Sequence, residues 1–285
     1  MRSALGRNID ILVPSNVYVI FAAVVAGAIG LVIGLAQDAD GAIGVIGTGI
    51  GAGGAAFLAW AIARELDPDN TLTATLGPPL GLAGWFFDAP GLLLTGAALL
   101  TVRVVARTTG SSPAPVDLVF IVGFCAVAGL RPGGVIGAGA LGLAVIVDSI
   151  LTRSVAATRY LAGLGAIVAA GLVALVQSDP MSFQRMNGLA VAITAAAVIG
   201  AFVTPLPEVL SVGDLTMEPV ERNRVRLARW TAAGIVIAYA GVGGTTGITI
   251  VGPLVAALIS LPVTALVRKG QTRSGRAIRT STLGE

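Results

Sequence analysis

GAIGVIGTGIGAGGAAFLAWAIARELDPDN, residues 41 to 70, decides how the rest of the chain is read. As far as Ala63 it is one apolar run, and about 20 such residues suffice to cross the hydrocarbon of a bilayer. It ends in Arg64, Glu65, Asp67 and Asp69, a cluster of charge in a chain that has only 12% charged residues. The same alternation of apolar run and polar end recurs along all 285 residues. A mean hydropathy of +0.90 with 55% apolar residues is more than a water-soluble fold of this size can hide. The chain therefore reads as an integral membrane protein, with the bilayer as its solvent.

Ten runs are candidate spans, with cores near 17–36, 42–63, 71–87, 90–107, 115–130, 133–151, 159–178, 187–204, 229–244 and 247–267. The third, fifth and ninth are short. Lys and Arg are retained on the cytoplasmic side during insertion, and with ten spans all but Arg131 and Arg185 of the 18 basic residues fall on one side. The expected fold is an all-α polytopic membrane protein of about ten transmembrane helices, arranged as five hairpins with both termini cytoplasmic. The external turns are QDADG, FDAP, LRPGG, SDPMSFQ and GGTTG, with Asp38, Asp40, Asp88 and Asp179 among them. Residues 1–267 form one transmembrane domain, including a cytoplasmic loop at 205–228 whose second half suits a basic surface helix. Residues 268–285 form a basic tail, expected to be disordered and to lie against anionic headgroups. An offset of 45 residues aligns the second hairpin with the third and sets Arg103 opposite Asp148.

Helices in lipid pack through small residues rather than apolar burial. Gly47, Gly51 and Ala55 recur every four residues on the second span, and Ala138 and Gly142 do so on the sixth. GTGIGAGG has glycine spacings like a phosphate loop, but no Lys-Ser/Thr follows it. With no histidine and one cysteine, Cys125, the chain has no His-based catalysis, intramolecular disulfide or multi-cysteine metal site.

The charge sits at the cytoplasmic ends of the spans. Pro68 disfavours helix at Asp67, so the second helix should stop near Leu66. Asp69, Asn70 or Thr71 can then cap the third, and Arg64 suits the last turn of the second. Glu65 and Asp67 oppose the macrodipole of a helix C-terminus and need partners. Arg103, Arg107 and Arg153 are the nearest supply, with Asp117 and Asp148 at the same depth. Three arrangements are open: an ion-pair clamp, a pocket in which Arg64, Arg103, Arg107 and Arg153 hold an anionic metabolite or lipid phosphate, or separately solvated loops. In the pocket, Glu65, Asp67, Asp117 and Asp148 would hold Mg²⁺, and ARTTGSS, residues 106–112, would add donors.

In size and topology the chain resembles the drug/metabolite transporter superfamily, which implies a small-molecule transporter or permease in the cell membrane. Thr48, Thr95, Thr194 and Thr249 are then candidates to line its path. The alternatives are a membrane-embedded enzyme acting on a lipid phosphate at the cytoplasmic leaflet, or a non-catalytic membrane subunit that meets a protein partner through its cytoplasmic loops. The partners expected are the lipid bilayer and a small-molecule or lipid ligand, with no nucleic acid; no cofactor, metal or catalytic residue is specified. Richness in Ala, Gly, Val and Arg with scarce Lys points to a prokaryotic source.

Overall fold

The computed structural model describes residues 3–6, 9–37, 39, 41–153, 156–176, 184–206 and 208–281, with side chains as far as Lys269. Asp38, Asp40, Asp179 and most of the SDPMSFQ turn lie outside the described residues. The elements are ten helices: α1 Pro14–Ala36, α2 Gly41–Leu66, α3 Thr71–Trp85, α4 Leu92–Ala106, α5 Pro115–Gly129, α6 Gly134–Leu151, α7 Ala157–Val176, α8 Gly188–Val203, α9 Arg222–Ile250 and α10 Gly252–Ser281. One isolated bridge, Val212 to Pro219, is the β-type pairing among the described residues.

Six helices are long and apolar enough to cross a membrane by length and composition: α1, α2, α6, α7, α9 and the Gly252–Lys269 part of α10. Their apolar side chains face outward as well as inward, as lipid-facing helices require; Phe21, Ile43, Leu175 and Val176 are all well exposed. These features fit a multi-pass membrane protein. The third and fifth helices are short, at 15 residues each, and α4 with 15 and α8 with 16 are short as well. The ninth is not short. It begins at Arg222, inside the stretch expected to be loop, and runs to Ile250 with a break at Gly244, φ 55° and ψ −131°. That break is the expected GGTTG turn: a Cβ on Gly247 would stand 1.9 Å from Tyr239 O, so the chain folds back on itself there.

The ten helices do not pack as five equivalent hairpins. α1 lies against α2 and α5 against α6, but α3 packs on α2 and α10 instead of α4, while α4 packs on α6 and α9. The second and third hairpins are thus set in different surroundings despite their 45-residue similarity. Small residues govern the close approaches. On α2 the glycines meeting α1 are Gly49 and Gly53, the latter's Cβ position lying 2.8 Å from Ala23 O. Of the expected Gly47–Gly51–Ala55 face, Gly47 faces open space while Gly51 and Ala55 meet α3 at Trp85 and Gly81. The sixth helix behaves as read: Ala138 is fully buried and a Cβ on Gly142 would lie 2.7 Å from Gly163 O of α7.

Candidate functional site

At one end of the bundle the arginines collect, and here each acid has a partner. Glu65, in the last turn of α2, is fully buried and accepts from Arg103 Nε at 2.8 Å. Arg103 Nη2 is also 2.8 Å from Glu65 Oε1, Nη1 donates to Leu5 O at 2.5 Å, and the Thr108 hydroxyl donates to Glu65 Oε2. Asp148, 1% exposed on α6, takes Arg107 Nε at 2.7 Å and Arg224 Nη1 at 2.9 Å. These are charged groups in a dry environment, where an unpaired charge is costly and a hydrogen-bonded pair is tolerated.

Asp67 does not face Arg103, Arg107 or Arg153. Its Oδ2 accepts from Thr73 Oγ1 at 2.6 Å, and its Oδ1 lies 3.4 Å from Arg229 Nη2. Arg229, 2% exposed, also donates to Leu66 O at 2.8 Å and Thr204 O at 3.1 Å, tying the free carbonyl ends of α2 and α8 to α9. Asp117 has no arginine partner among the described residues: it accepts from Ser3 Oγ at 2.5 Å, Ala4 N at 2.9 Å and Ala114 N at 2.9 Å, the last closing the first turn of α5. Arg153 is exposed beyond the end of α6, in left-handed geometry at φ 48°, with no ion pair among the described residues. Asn70 occupies the N-cap of α3 without a side-chain cap bond. Asp69 instead accepts from Leu210 N at 2.7 Å and Ser211 N at 2.8 Å, pinning the 205–221 loop to the α2–α3 turn.

The rim is therefore a clamp. Among the described residues there is no group of three or more acids placed to hold a metal ion. The expectation that Glu65, Asp67, Asp117 and Asp148 converge is overturned, because each has its own partners: Arg103 and Thr108 for Glu65, Thr73 and Arg229 for Asp67, the N-terminal segment for Asp117, and Arg107 and Arg224 for Asp148. Arg224 and Arg229, which carry two of these partnerships, do not stand out in the sequence as anything but topology signals. A helical wheel extended back from the ninth span places Arg229 with Val225, Ala228, Ala232 and Val236, all buried. That signal depends on knowing that helix begins at Arg222.

Beside the clamp lies a cavity of about 640 Å³. Its deep end is walled by Phe57, Trp60 and Leu99, its sides by Arg64, Arg103 and Asn16, and its mouth by the exposed Asp10 and Asp214. Arg64 donates to Ser15 Oγ and Asn16 Oδ1, both at 3.2 Å, and its guanidinium carbon stands 5.4 Å from the centroid of the Trp60 ring. This cation–π contact orients Arg64 along the wall. Trp60 is 5% exposed and its indole Nε1, buried, has no hydrogen-bond partner. A buried indole N–H usually finds one, so this unpartnered group is unusual in a residue that also lines the cavity. From Phe57 to Arg64 the cavity follows α2 for about 10 Å, at 1.5 Å per residue.

The threonines expected to line a path serve backbone instead. Thr48 Oγ1 donates to Gly44 O at 2.6 Å, Thr194 Oγ1 to Ala190 O at 2.8 Å and Thr95 Oγ1 to Ile250 O at 3.2 Å. Thr249, bonded to Thr246 O at 2.9 Å, borders a separate, largely apolar cavity of about 210 Å³ at the opposite end, between α3, α8 and the α9–α10 turn. Searches of family models, curated proteins and solved structures find no match to this chain.

Proposed function

We propose that the chain is a small-molecule carrier of the cell membrane, with its basic rim and both termini in the cytoplasm and the cavity beneath Arg64 as its solute vestibule. The observation that carries this reading is a 640 Å³ cavity lined by both Arg64 and Trp60, the latter with a buried Nε1 that has no hydrogen-bond partner. The wall and mouth have opposite charge, so the solute is a small zwitterion. Its carboxylate lies on Arg64 and the indole N–H, and its amino group points towards Asp10 and Asp214. Arg103 lines the same wall and is paired with Glu65.

A carrier needs a second opening and a seam that can slide between the two. The 210 Å³ cavity at the opposite end supplies a candidate opening. Between the two, α3 lies flush on α2: Cβ positions at Gly77 and Gly81 would stand 2.9 Å from Ala59 O and 2.7 Å from Ala55 O. Smooth backbone surfaces of this kind let helices shift without interlocked side chains. The enzyme reading loses its support with the dispersal of the acids. The subunit reading rests on Leu210 and Met217, 81% and 70% exposed on the 205–221 loop.

The test is solute-dependent stabilisation and uptake. Purified protein is heated in detergent with zwitterionic amino acids, dicarboxylates or sugars, and any stabilising solute is followed into proteoliposomes. Amino acids are expected to raise the unfolding temperature and to be taken up. Trp60→Phe, which removes the N–H and keeps the ring, and Arg64→Gln are expected to weaken the effect about tenfold each, the loss of one hydrogen bond to a charged group. Stabilisation by none of the amino acids, or an undiminished effect in both variants, contradicts the proposal.

A further inference from the structure

A second polar cavity, of about 310 Å³, lies where α8 ends and α9 begins. Phe202, Thr204, Arg222, Arg226, Arg229 and Trp230 line it. Spacings of four and three residues set the three arginines on one face of the first two turns of α9. Arg224, between them in sequence, points elsewhere and bonds Asp148 and Glu221. Among the described residues, Arg222 and Arg226 make no ion pair and no acid lines the cavity. Arg229 closes its floor; its Nη2 is 3.4 Å from Asp67 but makes no hydrogen bond, and the buried Thr204 Oγ1 beside it has no partner either. Two unmatched arginines, a buried N–H and a buried hydroxyl thus share one small space.

The neighbouring surface says what kind of anion fits. Phe202 and Trp230 stack at 5.9 Å between centroids and 24° between planes, and both are about half exposed, at 55% and 44%. Val203 beside them is 71% exposed. Aromatic rings next to arginines at the end of apolar helices mark headgroup depth, where one edge is apolar and the other wet. Arginine forks match phosphate oxygens two at a time.

We infer that this cavity binds a phosphate oxyanion at the membrane surface, held by Arg222, Arg226 and the Thr204 hydroxyl, with the Phe202–Trp230 pair taking the apolar part of the same molecule. The chemistry is that of an anionic phospholipid headgroup or of a free phosphate. The site is independent of the vestibule, and its occupancy bridges α8 and α9 next to the Arg229–Asp67 contact.

The experiment uses the full chain in nanodiscs of phosphatidylcholine alone or mixed with phosphatidylglycerol, and in phosphatidylcholine discs with added inorganic phosphate. Retained lipid or phosphate is counted by native mass spectrometry. The wild type is expected to retain phosphatidylglycerol, and Arg222→Gln with Arg226→Gln to lower retention about tenfold or more. Arg226→Lys, which keeps the charge and loses the fork, is expected to give an intermediate loss. Arg159→Gln, a substitution of another arginine outside the cavity, is expected to change nothing. Retention of inorganic phosphate alone, lost in the same variants, supports the site and assigns it to a free phosphate. Retention of neither probe, unchanged retention in the double variant, or an equal loss in Arg159→Gln overturns the inference.

Discussion

Glu65 and Arg103, 38 residues apart in sequence, meet through two contacts of 2.8 Å, and the carboxylate is fully removed from solvent. Their partnership joins the end of α2 to the end of α4 and, through Leu5 O, to the N-terminal segment. Removing one partner leaves the other charged and buried. Glu65→Ala or Arg103→Ala is expected to destabilise the protein by about 3–5 kcal/mol, whereas Glu65→Leu with Arg103→Met costs much less than the two single losses together. A double-mutant cycle on the unfolding temperature in detergent measures this coupling; additive losses contradict a buried pair.

Asp148 faces two arginines, so its neutralisation does more than lose one contact. Asp148→Asn leaves Arg107 and Arg224 facing each other with only the exposed Glu221, 3.4 Å from Arg224 Nε, as counter-charge. The expected loss is again about 3–5 kcal/mol. Adding Arg224→Gln to Asp148→Asn is expected to restore part of it, read as a rise in unfolding temperature over the single variant.

Asp117 holds the N-terminal segment through Ser3 and Ala4. With Asp117→Ala, the Ala4 amide loses its acceptor. Hydrogen exchange at Ala4 is expected to accelerate strongly, while the amides in the centre of α5 remain protected. Unchanged protection at Ala4 contradicts this anchoring role.

Glycines on α2 and α3 differ sharply in what a methyl group meets. Gly81→Ala puts its Cβ 2.7 Å from Ala55 O and 2.8 Å from Ala59 Cβ, and about 1–3 kcal/mol of destabilisation is expected from overpacking. Gly47→Ala meets nothing within 4 Å and is expected to be neutral or slightly stabilising, since alanine is the better helix former. The pair is compared by thermal unfolding in one detergent.

Helix positions are legible in this sequence wherever a local rule acts. Pro68 ends α2 at Leu66, and apolar run lengths place most helix boundaries within a few residues. Glu65 meets one of its predicted arginines, Arg103, whereas Arg107 meets Asp148 instead of Glu65 or Asp67. What is not legible is tertiary: which arginine crosses to which acid depends on α3 leaving α4 to pack on α10. Arg224 and Arg229 fall in the basic surface helix and the start of the ninth span expected from the sequence, but that these join into one helix from Arg222, and which acids they meet, is not legible. Of the four arginines read as ligand-binding, Arg64 and Arg103 line the 640 Å³ cavity, whereas Trp60 beside them looks like core in the sequence. Thr48, Thr95 and Thr194, which look like lining, satisfy themselves on backbone oxygens.

Accessibility of Phe57, at the deep end of the vestibule, tests the central claim most directly. In a Cys125→Ala background, Phe57→Cys is exposed to a membrane-impermeant maleimide in inside-out and right-side-out vesicles. The expected result is labelling only in inside-out vesicles, slowed by the zwitterionic solute. Labelling only from the outer face, or no labelling on either side while Asp214→Cys at the mouth reacts, contradicts a water-filled vestibule open to the cytoplasm.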